Sequence, residues 1–187
     1  MARLIKAAGA IELRPALDDG FAALVRSIMY QQLAGAAAST IHGRFLKLFT
    51  GGLSPAAVLA LPEGMMRTAG VSGSKAAAIT DLARKVLDGT VPLDDVDALS
   101  DDELVAHLVQ VRGIGRWTAE MFLIFQLRRL DVWPVDDYGV RKGWALAHKL
   151  KDLPAPRALQ AEGDLFRPYR TIAAWYCWRA VDTVLAI

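Results

Sequence analysis

Apolar residues recur at three- and four-residue intervals along nearly the whole chain, the spacing that lines one face of a helix. No segment alternates as a half-buried strand would, and no Asn-Gly hairpin signal occurs. The pattern predicts an all-α fold. FAALVRSIMYQQLA, from Phe21, carries the first strong apolar face, with Asp18 or Asp19 placed to cap it. AAASTIHGRFLKLF follows Gly35, and SPAAVLAL starts with Ser54 as a cap and Pro55 at the first helical position. SKAAAITDLARKVLDG is amphipathic throughout and stops at Gly89. Beyond a Pro- and Asp-rich connector at 90–99, SDDELVAHLVQV opens on a capping box, Ser100 and Glu103, whose acids suit the helix dipole. RWTAEMFLIFQL, a helix running to about Leu150 and the terminal PYRTIAAWYCWRAVDTVL complete the series.

Two interruptions do not behave as simple helix ends. In VRGIGRWTAE (111–120) the glycines Gly113 and Gly115 stand two apart and are followed at once by Arg116 and Trp117. A helix stop explains one glycine well and two less well. The other reading is a turn whose bare backbone N–H groups, together with the next helix N-terminus, approach an anion such as a phosphate. AGVSGSKAAA (69–78) repeats the theme, with Lys75 placed where a phosphate would lie.

Composition narrows the classes. The 187 residues, 53% of them hydrophobic, suffice for one large domain or two small ones, and the connectors at 50–55 and 88–100 are too short to be flexible linkers. The net charge is only +2, so a polyanion would have to be held by a local basic face. Cys177 is the only cysteine, which excludes an internal disulfide, a four-cysteine iron–sulfur cluster and a cysteine-based zinc site. No apolar run reaches membrane-spanning length, and MARLIKAAGAIELRP meets Glu12 and Arg14 too early for a secretory signal. A protein of the cytoplasm, bound to no membrane, is expected.

In VWPVDDYGVRKG (132–143), Pro134 forces an extended approach and Asp136-Asp137 stand where the next helix begins. Both carboxylates can serve as helix caps. A carboxylate at the mouth of a pocket can equally stabilise positive charge developing on a sugar ring.

VRGIGRWTAEMF followed by WPVDDYGVRKG resembles the helix-hairpin-helix DNA glycosylase superfamily, in particular its 3-methyladenine DNA glycosylase II branch. FAALVRSIMYQQLA, GVSGSKAAAITDLA and RPYRTIAAWYCWR extend the resemblance, in order, over roughly residues 18–181. It implies one two-lobed all-α unit over 1–187 with a central cleft, its lobes near 21–100 and 101–187, without the N-terminal β domain of larger relatives. The implied reaction flips an alkylated purine out of duplex DNA and hydrolyses its N-glycosidic bond, leaving an abasic site. Positions that match the branch's motifs give Asp137 as the catalytic aspartate, with Asp136 left as a cap or pocket-rim residue. Trp117 and Trp178 become pocket aromatics, beside Met121 and Tyr30. Gln32 falls near the residue that fills the gap left by the flipped base. Gly113, Gly115 and Arg116 belong to the phosphate grip, with Lys75 and Arg141 as further phosphate-facing bases. The carbonyls of Val109, Val111 and Ile114 match positions that hold a structural Na+ or K+; no other cofactor is implied. The partner is double-stranded DNA and the expected state a monomer.

Physical chemistry agrees with these roles. An alkylated purine such as 3-methyladenine is cationic, so an indole face attracts it by stacking and cation–π interaction, on the order of 1–3 kcal/mol per stacked base. The same charge makes the base a ready leaving group. Met121 stands where larger relatives tend to carry an aromatic, and Tyr30 where glycine is frequent, which bears on pocket shape and lesion range. A non-catalytic DNA-binding module using the same two turns is the alternative, and a carboxylate near DNA is what separates the two.

Bifunctional relatives place a lysine where this chain has Trp117, and that amine forms a Schiff base with the sugar. Borohydride treatment of the protein with damaged DNA is therefore expected to trap no covalent adduct; an adduct would refute the hydrolytic assignment.

Overall fold

Among the described residues, five helices begin where a Ser or Asp side chain supplies an acceptor for otherwise unbonded N–H groups. The computed structural model describes residues 2–11 and 19–184, and no strand occurs among them. In chain order the helices are α1 (Ala2–Ala8), α2 (Gly20–Tyr30), α3 (Gly35–Leu46), α4 (Pro55–Leu59), α5 (Met65–Thr68), α6 (Gly73–Leu87), α7 (Asp101–Leu108), α8 (Arg116–Phe125), α9 (Tyr138–His148), α10 (Pro156–Gly163) and α11 (Arg170–Val184). Asp19 accepts the Ala22 N–H and caps α2; Asp18, the other candidate, lies outside the described residues. Ser54 caps α4, and the Ser100–Glu103 box closes both ways at α7. The all-α expectation holds, but α5 and α10 have no counterpart in the pattern. α10 buries only one large apolar side chain, Leu159, so its periodicity is faint.

The chain divides into two compact units, residues 16–122 and residues 1–15 with 123–187. The expected division near residue 100 is thus corrected: α7 and the glycine turn belong with the earlier helices. Hydrogen bonds explain this. The Gln31 side-chain amide donates to Gly113 O (2.9 Å), Lys85 to Gln110 O, and the Arg112 N–H to Asp81 Oδ2 (2.8 Å), all within the first unit. Its core is largely aliphatic with three phenylalanines: Phe21, Leu24, Ile28, Met29, Phe45, Ile79, Leu82, Leu104, Leu108 and Phe122 are buried.

The second unit centres on α9 against α11. Trp133, Val140, Trp144, Leu159, Ala173, Ala174 and Cys177 form its core, with Val135, Phe166 and Trp178 packed on it. Two glycines one turn apart permit the approach. A Cβ on Gly143 would lie 1.8 Å from the carbonyl oxygen of Cys177, and one on Gly139 would lie 2.7 Å from Trp178 Cδ1. Burial pushes the Cys177 thiol up to about 12, so it is a neutral packing group rather than a nucleophile.

Gly143→Ala cannot be absorbed by a side-chain rotation because backbone stands in the way. It is expected to cost about 3 kcal/mol or more in urea unfolding; a cost near zero would refute the tight crossing.

Candidate functional site

Pro134 ends an extended approach, and the chain turns into α9 at Asp137, whose backbone N–H donates to the Pro134 carbonyl (3.1 Å). Asp137 is the N-cap of α9: the Val140 N–H donates to its Oδ1 at 2.8 Å. The indole N–H of Trp178, on α11, donates to the same oxygen at 2.8 Å. Two donors from two helices therefore fix a carboxylate only 9% exposed. The Trp178 ring stacks on Phe125 with centroids 5.6 Å apart, which locks the indole edge toward Asp137. Asp136 is exposed, so the capping role assigned to it passes to its neighbour. One residue is both cap and candidate acid, and the two readings of the sequence are compatible.

In the other unit the glycine turn has two distinct glycines. Gly113 has φ +80°, a conformation that side chains rarely adopt, so the turn itself requires it. Gly115 has neither constraint: a Cβ there would meet nothing within 4 Å. It leaves the backbone before α8 open to an outside group. Behind the turn, Asp81 and Lys85 act as a brace. Lys85 donates to Asp81 Oδ2 (2.9 Å) and to the Gln110 carbonyl, while Asp81 receives the Arg112 N–H. Burial alone would raise the Asp81 carboxyl; the Arg112 N–H and the Lys85 ammonium outweigh it and hold it below the usual range. Arg116, first in α8, donates from Nε to Glu120 Oε1 (2.9 Å) and remains 58% exposed in its side chain.

Several expected residues take other places. Lys75 does not face outward as a phosphate contact: its Nζ donates to the carbonyls of Met29 (2.6 Å) and Gln31 (2.8 Å), where the end of α2 leaves acceptors unbonded. Arg141 is likewise turned inward, its Nε donating to the Pro154 carbonyl at 2.9 Å. Trp117 is 47% exposed, a surface indole rather than a core residue, and Met121 on the next turn is half-buried. Tyr30 lies edge-on to His42 with the Arg26 guanidinium over its ring. Gln32 is exposed, with φ +56°.

Val109 ends α7, and Val111 and Ile114 are buried, the Ile114 N–H donating to the Val111 carbonyl at 3.0 Å. Three main-chain oxygens are the donor chemistry that a hard monovalent cation takes. Among the described residues no group of three or more His, Cys, Asp or Glu could hold a metal.

The sequence reading missed Phe125, Gly139, Gln31 and the Asp81–Lys85 brace. Phe125 continues the four-residue spacing of Trp117 and Met121 along α8, a signal that was present. Asp81 and Lys85 look like an ordinary solvated i,i+4 pair, and only the fold brings the turn over them.

The family model for "HhH-GPD superfamily base excision DNA repair protein" matches residues 25–168. The chain is 34% identical over 182 residues to the DNA-3-methyladenine glycosylase 1 of Schizosaccharomyces pombe, covering 95% of this chain and 80% of the relative. Its fold matches a Schizosaccharomyces pombe 3-methyladenine DNA glycosylase solved in complex with abasic DNA, with TM-score 0.80, 33% identity and coverage of 95% of this chain and 89% of that one. It also matches a DNA-3-methyladenine glycosidase from Bacillus halodurans, with TM-score 0.92, 33% identity and coverage of 99% and 85%. No helix among the described residues is long and apolar enough to cross a membrane.

If the open face at Gly115 receives phosphate, Gly115→Ala should keep stability within about 1 kcal/mol. Its affinity for an abasic-site duplex should fall about tenfold, as measured by fluorescence anisotropy. Unchanged affinity would show that nothing docks there.

Proposed function

Because this chain belongs to the HhH-GPD superfamily of base excision DNA repair proteins, we propose that it is a monofunctional DNA glycosylase. It hydrolyses the N-glycosidic bond of alkylated purines, 3-methyladenine and 7-methylguanine, in duplex DNA and leaves an abasic site. The observation that carries this reading is the Asp137 carboxylate, held by the Val140 and Trp178 N–H groups at a buried position. Capping α9 accounts for the Val140 N–H alone; the second donor, Trp178 from another helix, fixes the carboxylate's orientation as charge stabilisation requires.

Each residue then has a task that its chemistry suits. Hydrolysis builds positive charge on the sugar as the base departs, and a carboxylate already oriented by two donors stabilises that charge without reorganising. Trp178 is a positioning residue, since its N–H sets the carboxylate. Trp117 offers an exposed π-face to a cationic base, with Met121 beside it and Tyr30 shaping the pocket. The main chain at Gly113 and Gly115, with Arg116, grips phosphate, and Gln32 fills the gap in the duplex. The carbonyls of Val109, Val111 and Ile114 hold a Na+ or K+ ion that stiffens the turn; hydrolysis itself needs no cofactor and no iron–sulfur cluster. The protein acts as a monomer in the cytoplasm, at the nucleoid if the source is prokaryotic.

Asp137→Asn keeps an oxygen to cap α9 and accept the indole N–H, so folding should survive. Single-turnover excision should fall about 100-fold or more for hypoxanthine, a neutral base whose departure depends most on sugar-cation stabilisation. The loss should be smaller for 3-methyladenine, which leaves as a cation. Asp136→Asn should leave both rates and stability near the parent values. Equal losses at the two positions would refute the assignment, and absence of any released base from methylated DNA would refute the function.

A further inference from the structure

The turn after α2 is held more firmly than its burial requires. Gln32 adopts φ +56°, strained for a residue with a side chain, and both it and Leu33 are exposed, so no packing offsets that strain. The restraints come from elsewhere in the same unit. The Lys75 ammonium, on the first turn of α6, reaches back to the carbonyls of Met29 (2.6 Å) and Gln31 (2.8 Å) on either side of the helix end. The Gln31 side chain donates to Gly113 O (2.9 Å), and the Leu33 N–H donates to Tyr30 O (3.4 Å). Holding Lys75 there carries its own cost, because burial lowers its pKa by disfavouring the charged ammonium.

A strained, exposed and thrice-anchored tip is what insertion into a base stack demands. A side chain entering the gap left by an extruded base must push against stacked neighbours, so a loose loop would yield instead. We propose that Lys75 is a positioning residue that locks the Gln31–Leu33 turn as a rigid wedge and, through the Gln31–Gly113 hydrogen bond, sets the distance from that wedge to the phosphate-gripping turn. This role rests on the glycosylase reading and replaces the phosphate contact that the sequence suggests for Lys75. Lys75 touches no reacting atom.

The test compares Lys75→Met, Lys75→Arg and the parent protein on a duplex carrying one 7-methylguanine, either paired with cytosine or opposite a tetrahydrofuran gap that leaves the base unpaired. Lys75→Met should lose about tenfold or more on the paired lesion while staying within about threefold on the unpaired one, where less force is needed. Lys75→Arg keeps two donors and should restore the paired rate. Amide exchange at Leu33 in the free protein should speed up in Lys75→Met and return toward the parent rate in Lys75→Arg. The slope of log affinity against log salt should not change; a fall of about one unit would return Lys75 to phosphate binding. Equal losses on both lesions, no loss on either, or unchanged exchange would overturn the wedge-lock. Failure of the parent protein to release base from either duplex, with the exchange result intact, would instead sink the glycosylase reading on which this role rests.

Discussion

The approach of α9 to α11 at Gly139 and Gly143 is the constraint on which the candidate chemistry depends. At Gly143 the helices touch backbone to backbone, and at Gly139 the missing side chain is the space that Trp178 fills. Only at that separation can the indole N–H reach Asp137 Oδ1 while the Val140 N–H of the same helix start does so as well. Move the helices apart by the width of a methyl group and the carboxylate keeps its cap but loses its second donor. Packing density here is therefore electrostatic preorganisation by another route.

The first unit solves a different problem, that of presenting backbone. Polar main-chain groups in a turn must be satisfied or exposed, and this chain does both. The Gln110 and Gly113 carbonyls and the Arg112 N–H are taken up from behind by Lys85, Gln31 and Asp81, so the turn is held from one side. Gly115 keeps the approach to α8 open. Lys75 does the same service for the end of α2. Charged side chains that look like surface decoration thus act as internal caps, stiffening loops that carry little apolar burial of their own.

The sequence by itself determined the helical class, most helix starts and the chemical vocabulary of the site. Those features are local: a Ser or Asp next to free N–H groups, apolar spacing near 3.6 and glycine at a positive φ act within a few residues of each other. The helix-start pattern narrowed the candidate acid to two adjacent aspartates, and the motif resemblance chose Asp137 between them and marked Trp117 and Trp178 as pocket aromatics. Tertiary structure decided the rest. The second anchor of the Asp137 carboxylate comes from a tryptophan 41 residues further along, and a helix-start pattern contains no information about it. Lys75 and Arg141 bond main-chain carbonyls in this structure because a long, flexible cation can satisfy a carbonyl as readily as a phosphate, and chain spacing does not say which will be within reach. The boundary between the two units moved past the glycine turn because hydrogen bonds from Gln31, Asp81 and Lys85 claim that turn. Periodicity records which face of a helix is apolar, whereas the partner of a polar group is set by three-dimensional proximity, and that exists only once the chain has folded.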